Sequence, residues 1–95
     1  AACMVVGDNI YAMLLVRKFF KTFTPKDICD AKTATEVLVC LSCESRAEVD
    51  ELVLKAVKAG GSMHRKAQDH GFMYGHGFED LDGHIWELIY LAKTP

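Results

Sequence analysis

One amphipathic helix, in a chain whose other apolar segments are short, constrains the fold most. Ser45-Arg46-Ala47-Glu48 is a capping box that marks a helix N-terminus, and Gly60-Gly61 marks its end. Between them, apolar residues recur at helical spacing, with charged residues on the other side. The apolar stripe consists of Val49, Leu52, Val53, Ala56 and Val57. A helix with one apolar stripe must cover one face of a sheet, which predicts an α+β fold.

The other apolar runs have the lengths and alternation of strands. Residues 1–6 and 10–16 flank Gly7-Asp8-Asn9, which predicts an N-terminal hairpin with a three-residue turn. The β-branched run TEVLVCLS, residues 35–42, predicts a strand covered on both sides, and residues 62–68 predict a further short strand. Residues 17–33 read as a loop in which Thr24, followed by Pro25, begins one short helix.

The last two strands, FMYGHGF and HIWELIYLA, flank the turn Asp80-Leu81-Asp82-Gly83. Strict alternation puts Glu87 on the face opposite Trp86 and Leu88. On the strand before it, one face carries Met73, Gly75 and Gly77. Two glycines remove bulk from that face, which suits either a concave surface that receives a ligand or close sheet packing.

Composition narrows the classes of partner. A net charge of −2 argues against a nucleic-acid partner, which normally meets a basic face. No run approaches the ~20 apolar residues of a membrane span, so we expect a cytoplasmic protein without a membrane partner. Cys40 and Cys43 form a C-x-x-C within or beside a strand, where residues three apart point to opposite faces. We therefore expect both cysteines to be reduced and to pack as small apolar side chains, rather than to bind a metal or carry out redox chemistry.

Two segments resemble a known family. VLVCLSCESRAEVDELVLKAVKAGG, followed by FEDLDGHIWELI, resembles the second βαβββ module of the vicinal oxygen chelate superfamily, which includes glyoxalase I, the bleomycin and fosfomycin resistance proteins and the extradiol dioxygenases. The hallmark turn of that family is D-P-D-G-x-x-x-E, and here it runs from Asp80 to Glu87 with Leu81 in place of proline. The resemblance implies glyoxalase-like βαβββ modules that form a cupped mixed sheet, with the helix on its convex face.

The resemblance also implies a domain organisation. Residues 1–95 would be a single glyoxalase-like domain, with residues 1–16 as the remnant of a first module and residues 17–33 as a loop with a short helix. Residues 34–95 would be the second βαβββ module. Because the first module would be half built, its strand edges would be unpaired, and exposed edges are normally paired or covered. We therefore expect a homodimer in which partner strands complete the sheets.

In that family the ligand lies inside the cup and a divalent metal binds at its floor, which places Glu87 at the position of the carboxylate ligand. The other ligand positions implied by the resemblance fall near Leu38 and Leu14, or on a strand missing here, so Glu87 alone carries a donor. The sequence leaves one alternative open, in which Glu36 and Glu87 form a pair displaced from the ligand positions of the family. The predicted pocket consists of Glu36, Leu38, Cys40, Met73, Gly75, Gly77, Glu87 and Ile89, with Glu87 as the candidate metal ligand.

Three functions remain open. The first is a non-catalytic protein that binds a small, partly apolar molecule, with no catalytic residue and no assigned cofactor. The alternative is a metal-dependent lyase or dioxygenase of the glyoxalase type, using a divalent metal at Glu87 as a Lewis acid. The third is a degenerate module kept for dimerisation alone.

Overall fold

The computed structural model describes residues 2–63 and 65–92, and it has an α+β fold. Within this part of the chain, no helix is long and apolar enough to cross a membrane. In chain order the elements are β1 Ala2–Gly7, β2 Ile10–Leu14, α1 Arg17–Phe20 with a 3₁₀ turn Lys21–Phe23, β3 Val39–Ser42, α2 Arg46–Lys58, β4 Gln68–Asp69, β5 Met73–Glu79 and β6 Ile85–Leu91.

The strands form two separate sheets. β1 and β2 make an antiparallel hairpin, and the other four strands form a mixed sheet in the order β3-β6-β5-β4. In that sheet β3 runs parallel to β6, whereas the remaining pairs are antiparallel. Helix α2 packs on one face of it through Val49 and Val53, which meet Leu88 of β6. The other face is turned away from the helix.

The predicted helix is confirmed. The Ser45 hydroxyl accepts a hydrogen bond from the Glu48 amide at 3.1 Å, and the Glu48 carboxylate accepts one from the Glu44 amide at 2.8 Å. The first contact satisfies a backbone donor that the first helical turn leaves free, and the second ties the residue before the N-cap to the helix. At the other end, Gly60 adopts a φ of 113°, a left-handed conformation that glycine takes without a steric penalty.

The strand predicted over residues 35–42 is shorter than expected, and its predicted coverage on both sides is wrong. β3 begins at Val39, which pairs with Trp86 near the start of β6. The register puts Leu38 opposite Ile85, where β6 begins, and β3 has no other neighbouring strand within residues 2–63 and 65–92, so the residues before Leu38 have no strand to pair with. β3 is an edge strand, and Cys40 and Ser42 are exposed. Glu36 and Leu38 precede its first residue and lie outside the sheet.

The short helix predicted to begin at Thr24 is also wrong. Helix α1 and the 3₁₀ turn come earlier and end at Phe23. Thr24 is extended, with φ −149° and ψ 141°, a conformation favoured before a proline such as Pro25. Its hydroxyl accepts a hydrogen bond from the Lys26 amide at 3.1 Å, so it closes a local turn that no helix follows.

Two smaller predictions need adjustment. The N-terminal hairpin has a two-residue turn, because Gly7 still pairs with Ile10 at the end of β1. The strand predicted over residues 62–68 is present as a bridge between Ser62 and Glu79 and as β4, which begins only at Gln68. His64, which falls within that prediction, lies outside the described residues.

Candidate functional site

The turn before β6 fixes how that strand enters the sheet. One carboxylate oxygen of Asp80 accepts hydrogen bonds from the amides of Asp82 and His84, each at 2.9 Å. Its other oxygen accepts one from the indole nitrogen of Trp86, also at 2.9 Å. The Asp80 carboxylate thus holds the turn together, and this structural role explains an acidic residue at the start of the motif.

Six of the eight residues predicted to line a pocket lie on one face of the sheet. Strand register places them in rows, and Leu88 packs under α2, so its neighbours in β6 point away from the helix. The central row consists of Cys40, Glu87 and Gly77, the next of Ser42, Ile89 and Gly75, and Met73 faces Leu91 beyond them. The alternation in the sequence therefore identified this face correctly.

The other two predicted pocket residues do not join these rows. Glu36 and Leu38 precede β3 and have no register partner in the sheet. Both are exposed, with Leu38 at 54%. The hypothesis of a displaced pair between Glu36 and Glu87 gains no support from strand pairing.

Glu87 is the charged group of the central row. Its side chain is only 17% exposed, and its carboxylate lies 3.8 Å from the guanidinium of Arg65. Arg65 belongs to the segment between the Ser62 bridge and β4, along the outer edge of β5. To reach β6 its side chain must pass β5, and Gly77, directly opposite Glu87, carries no side chain to block it. Sequence reasoning missed Arg65, because its segment has no periodicity that assigns it to a face.

Cys40 is the neighbour of Glu87 on the other side. Desolvation of the sulfur raises the pKa of the Cys40 thiol, and the negative charge of Glu87 raises it further. Cys43 instead packs against the α2 core, where desolvation and then the charge of Glu48 raise the pKa of its thiol. The two cysteines thus point to opposite faces, as predicted, and all four cysteines are free. A raised pKa keeps a thiol protonated at neutral pH, which makes it a poor nucleophile or metal ligand.

A shallow depression of about 470 Å³ lies beside Arg65. Its walls come from the segment before β4 and from β5, and its lining residues are Met63, Arg65, Lys66, Ala67 and His76. The two ring nitrogens of His76 are buried, and within residues 2–63 and 65–92 neither has a hydrogen-bond partner. Across the same described part of the chain, no three His, Cys, Asp or Glu side chains come together as a metal-binding group.

Comparisons with known proteins give one kind of match. No protein family matches the chain, and no curated protein does. Chains of solved structures do match, among them a hypothetical protein from S. aureus at 30% sequence identity and a TM-score of 0.65. The match covers 78% of this chain and 56% of the other, so this chain spans little more than half of that protein's length. The likeness agrees with the α+β fold and names no activity.

Proposed function

We propose that the chain is a non-catalytic protein of the glyoxalase and bleomycin-resistance type, which binds a small, partly apolar molecule on the sheet face opposite α2. The central row of Cys40, Glu87 and Gly77 carries this proposal. It combines a poorly exposed carboxylate, a neighbour without a side chain, and apolar residues along the same face. A few polar groups set among apolar ones are typical of small-molecule sites.

The topology supports the same family. From β3 onwards the order is strand, helix and three strands, which is the βαβββ order that the sequence resemblance implies. The first and last of these strands are parallel neighbours, and α2 covers one face only. The turn from Asp80 to Gly83 supports it further, because it sets the start of the strand that carries Glu87.

The donors around Glu87 favour binding over metal catalysis. A divalent ion in a protein site takes about three or more protein ligands. Glu87 faces a guanidinium instead, and the pKa of its neighbour Cys40 is raised, so that thiol stays protonated. One observation favours the alternative, a metal-dependent lyase or dioxygenase: Cys40 and Glu87 are paired in register and supply two donors on one face.

All four cysteines are free, which suits the reducing cytoplasm, and we propose that location.

A thermal-shift screen tests the proposed function. The protein is purified without chelating resin and screened against small aromatic and aliphatic compounds of each charge, alongside Ni²⁺, Zn²⁺, Mn²⁺ and Fe²⁺. We expect at least one organic compound to raise Tm by a few degrees, because a ligand that binds only the folded state stabilises it. We expect the divalent ions to leave Tm unchanged.

Metal analysis of the same preparation separates the alternatives. Stoichiometric metal that is lost in Glu87→Gln would establish the metal-dependent enzyme and overturn the non-catalytic proposal. A screen in which no compound and no ion shifts Tm would also overturn it, in favour of a module kept for dimerisation.

We also propose that the chain forms a homodimer through the hairpin of β1 and β2. An isolated two-stranded hairpin is marginally stable in water, and this one is apolar on both faces. Val5, Ile10 and Met13 are 68%, 60% and 61% exposed. The radius of gyration is 14.9 Å, compared with about 12 Å expected for a compact chain of this length.

The second copy is proposed as the partner because one chain presents both surfaces that need covering. The hairpin is one of them, and the other is the edge of β3 that no strand of the described part of the chain pairs with. Between them, Met4–Val6 face Leu41–Cys43 across a groove of about 270 Å³ that reaches the core residue Leu88. Two-fold association lets each copy cover the apolar surface of the other in the same way.

Size-exclusion chromatography with light scattering tests the dimer. We expect a mass of about twice the 10.6 kDa of one chain at micromolar concentration. Met13→Asp should shift the protein towards the monomer, because it buries an unpaired charge in the interface. The matched control is Leu81→Asp, at a residue 69% exposed in the turn before β6, which should stay dimeric. A monomeric wild-type protein would refute the proposal.

A further inference from the structure

The guanidinium of Arg65 forms an ion pair with Glu87 but donates no hydrogen bond to it. Their closest atoms are 3.8 Å apart, an ion-pair distance that is too long for a hydrogen bond. An arginine carries about five N–H donors in a planar fork. Within the described part of the chain, neither Arg65 nor Lys66 donates a side-chain hydrogen bond. Glu87 therefore attracts the guanidinium and leaves its donors free for another acceptor.

The depression beside Arg65 supplies the rest of a binding site. Met63 and Ala67 give it apolar walls, and Arg65 and Lys66 bring two positive charges to it. His76 contributes to the β5 wall, but its ring nitrogens are buried and supply no group for a ligand. Among the residues that the structure describes, no carboxylate lines the depression. Its volume of about 470 Å³ is within the usual range for small-molecule sites.

We infer that this depression binds a small organic anion, a carboxylate on an apolar body, with Arg65 as the residue that recognises the carboxylate. The inference rests on the proposed function, because it names the class of ligand for Arg65, which forms the ion pair with Glu87 on the proposed face. A guanidinium pairs with a carboxylate through two parallel hydrogen bonds, which neutral ligands cannot reproduce. Lys66 adds attraction for the same charge, and the two cations together disfavour a metal ion.

Glu87 is a positioning residue in this arrangement. Its side chain is mostly buried, whereas the Arg65 side chain is 55% exposed and would otherwise sample many rotamers. The fixed carboxylate biases the guanidinium towards the depression. In the family that the sequence resembles, the carboxylate at this position binds a metal. In this chain the same carboxylate would position the side chain of an arginine.

Isothermal titration with benzoate and with benzamide, its neutral counterpart, tests the inference at low ionic strength. We expect wild-type protein to bind benzoate at least about tenfold more tightly than benzamide, because only the anion brings an opposite charge and two acceptor oxygens for the guanidinium. Arg65→Met should remove that preference, and Arg65→Lys should restore part of it. The matched control, Arg17→Met, changes an exposed arginine of α1 and should bind like the wild type.

Glu87→Gln separates positioning from stability. We expect it to weaken benzoate binding several-fold while leaving benzamide binding and the urea midpoint unchanged, a pattern that a purely structural role would not give. Equal affinity for the two probes, or undiminished benzoate binding in Arg65→Met, would overturn the inference while other ligands still bind. A protein that binds neither probe and no compound of the thermal-shift screen fails both the inference and the proposed function.

Discussion

Leu88→Ala is expected to lower the free energy of unfolding by about 2–5 kcal/mol. Leu88 is 3% exposed and packs against Val49 and Val53 of α2. Within residues 2–63 and 65–92, these three are the buried apolar side chains, so they join the helix to the sheet. A small domain has a total stability of about 5–15 kcal/mol. One truncation at this contact therefore removes a large share of it.

Urea denaturation followed by circular dichroism measures this effect. Wild type and variant are compared at one protein concentration, because dimerisation makes apparent stability depend on concentration. The control is Leu91→Ala on the same strand, where the side chain is 55% exposed and faces away from the helix. It should change the free energy of unfolding by about 0.5 kcal/mol or less. Equal losses in the two variants would contradict the assignment of the core.

Local patterns in the sequence were enough to predict the helix and the face of the sheet that carries Glu87. The capping box acts within one helical turn: Ser45 caps the Glu48 amide as expected, and Glu48 accepts from the Glu44 amide, one residue before the N-cap. Side chains along a strand alternate between its two faces, so assigning one residue of β6 to a face fixes the faces of all the others. Because Leu88 packs under the helix, Glu87 and Ile89 must face the other way.

The extent of β3 and the ion pair of Glu87 could not be predicted in this way. Val37 and Leu38 suit a strand as well as Val39 does, but the register puts Leu38 opposite Ile85, where β6 begins, and leaves Val37 no residue of β6 to pair with. Strand length was decided by the partner and not by the propensity of the run. Arg65 reaches Glu87 because its segment passes along β5 at Gly77, and that contact is set by tertiary structure. Of the residues predicted to line a pocket, those in strands therefore share one face, whereas Glu36 and Leu38 precede β3.

The turn that identifies the motif should be equally sensitive to substitution at its glycine. Gly83→Ala is expected to lower the free energy of unfolding by about 3 kcal/mol or more, for two separable reasons. Gly83 has a φ of 96°, which strains any residue with a Cβ atom. That Cβ would also lie 2.7 Å from the carbonyl oxygen of Ala31 and 2.9 Å from the Cα of Lys32, so backbone would have to move.

Gly71→Ala measures the backbone strain of a positive φ without the steric contact. Gly71 also has a positive φ, 81°, but a Cβ there meets nothing within 4 Å. It should cost about 1–2 kcal/mol, the strain of a left-handed residue alone. Gly7→Ala, where φ is not positive and the space is open, should cost least. If urea denaturation ranks Gly83→Ala no lower in stability than Gly71→Ala, the segment at Ala31 does not pack on the turn. If Gly83→Ala is instead the less stable variant, the contact between the turn and Ala31 is a second anchor, besides Asp80, for the strand that carries Glu87.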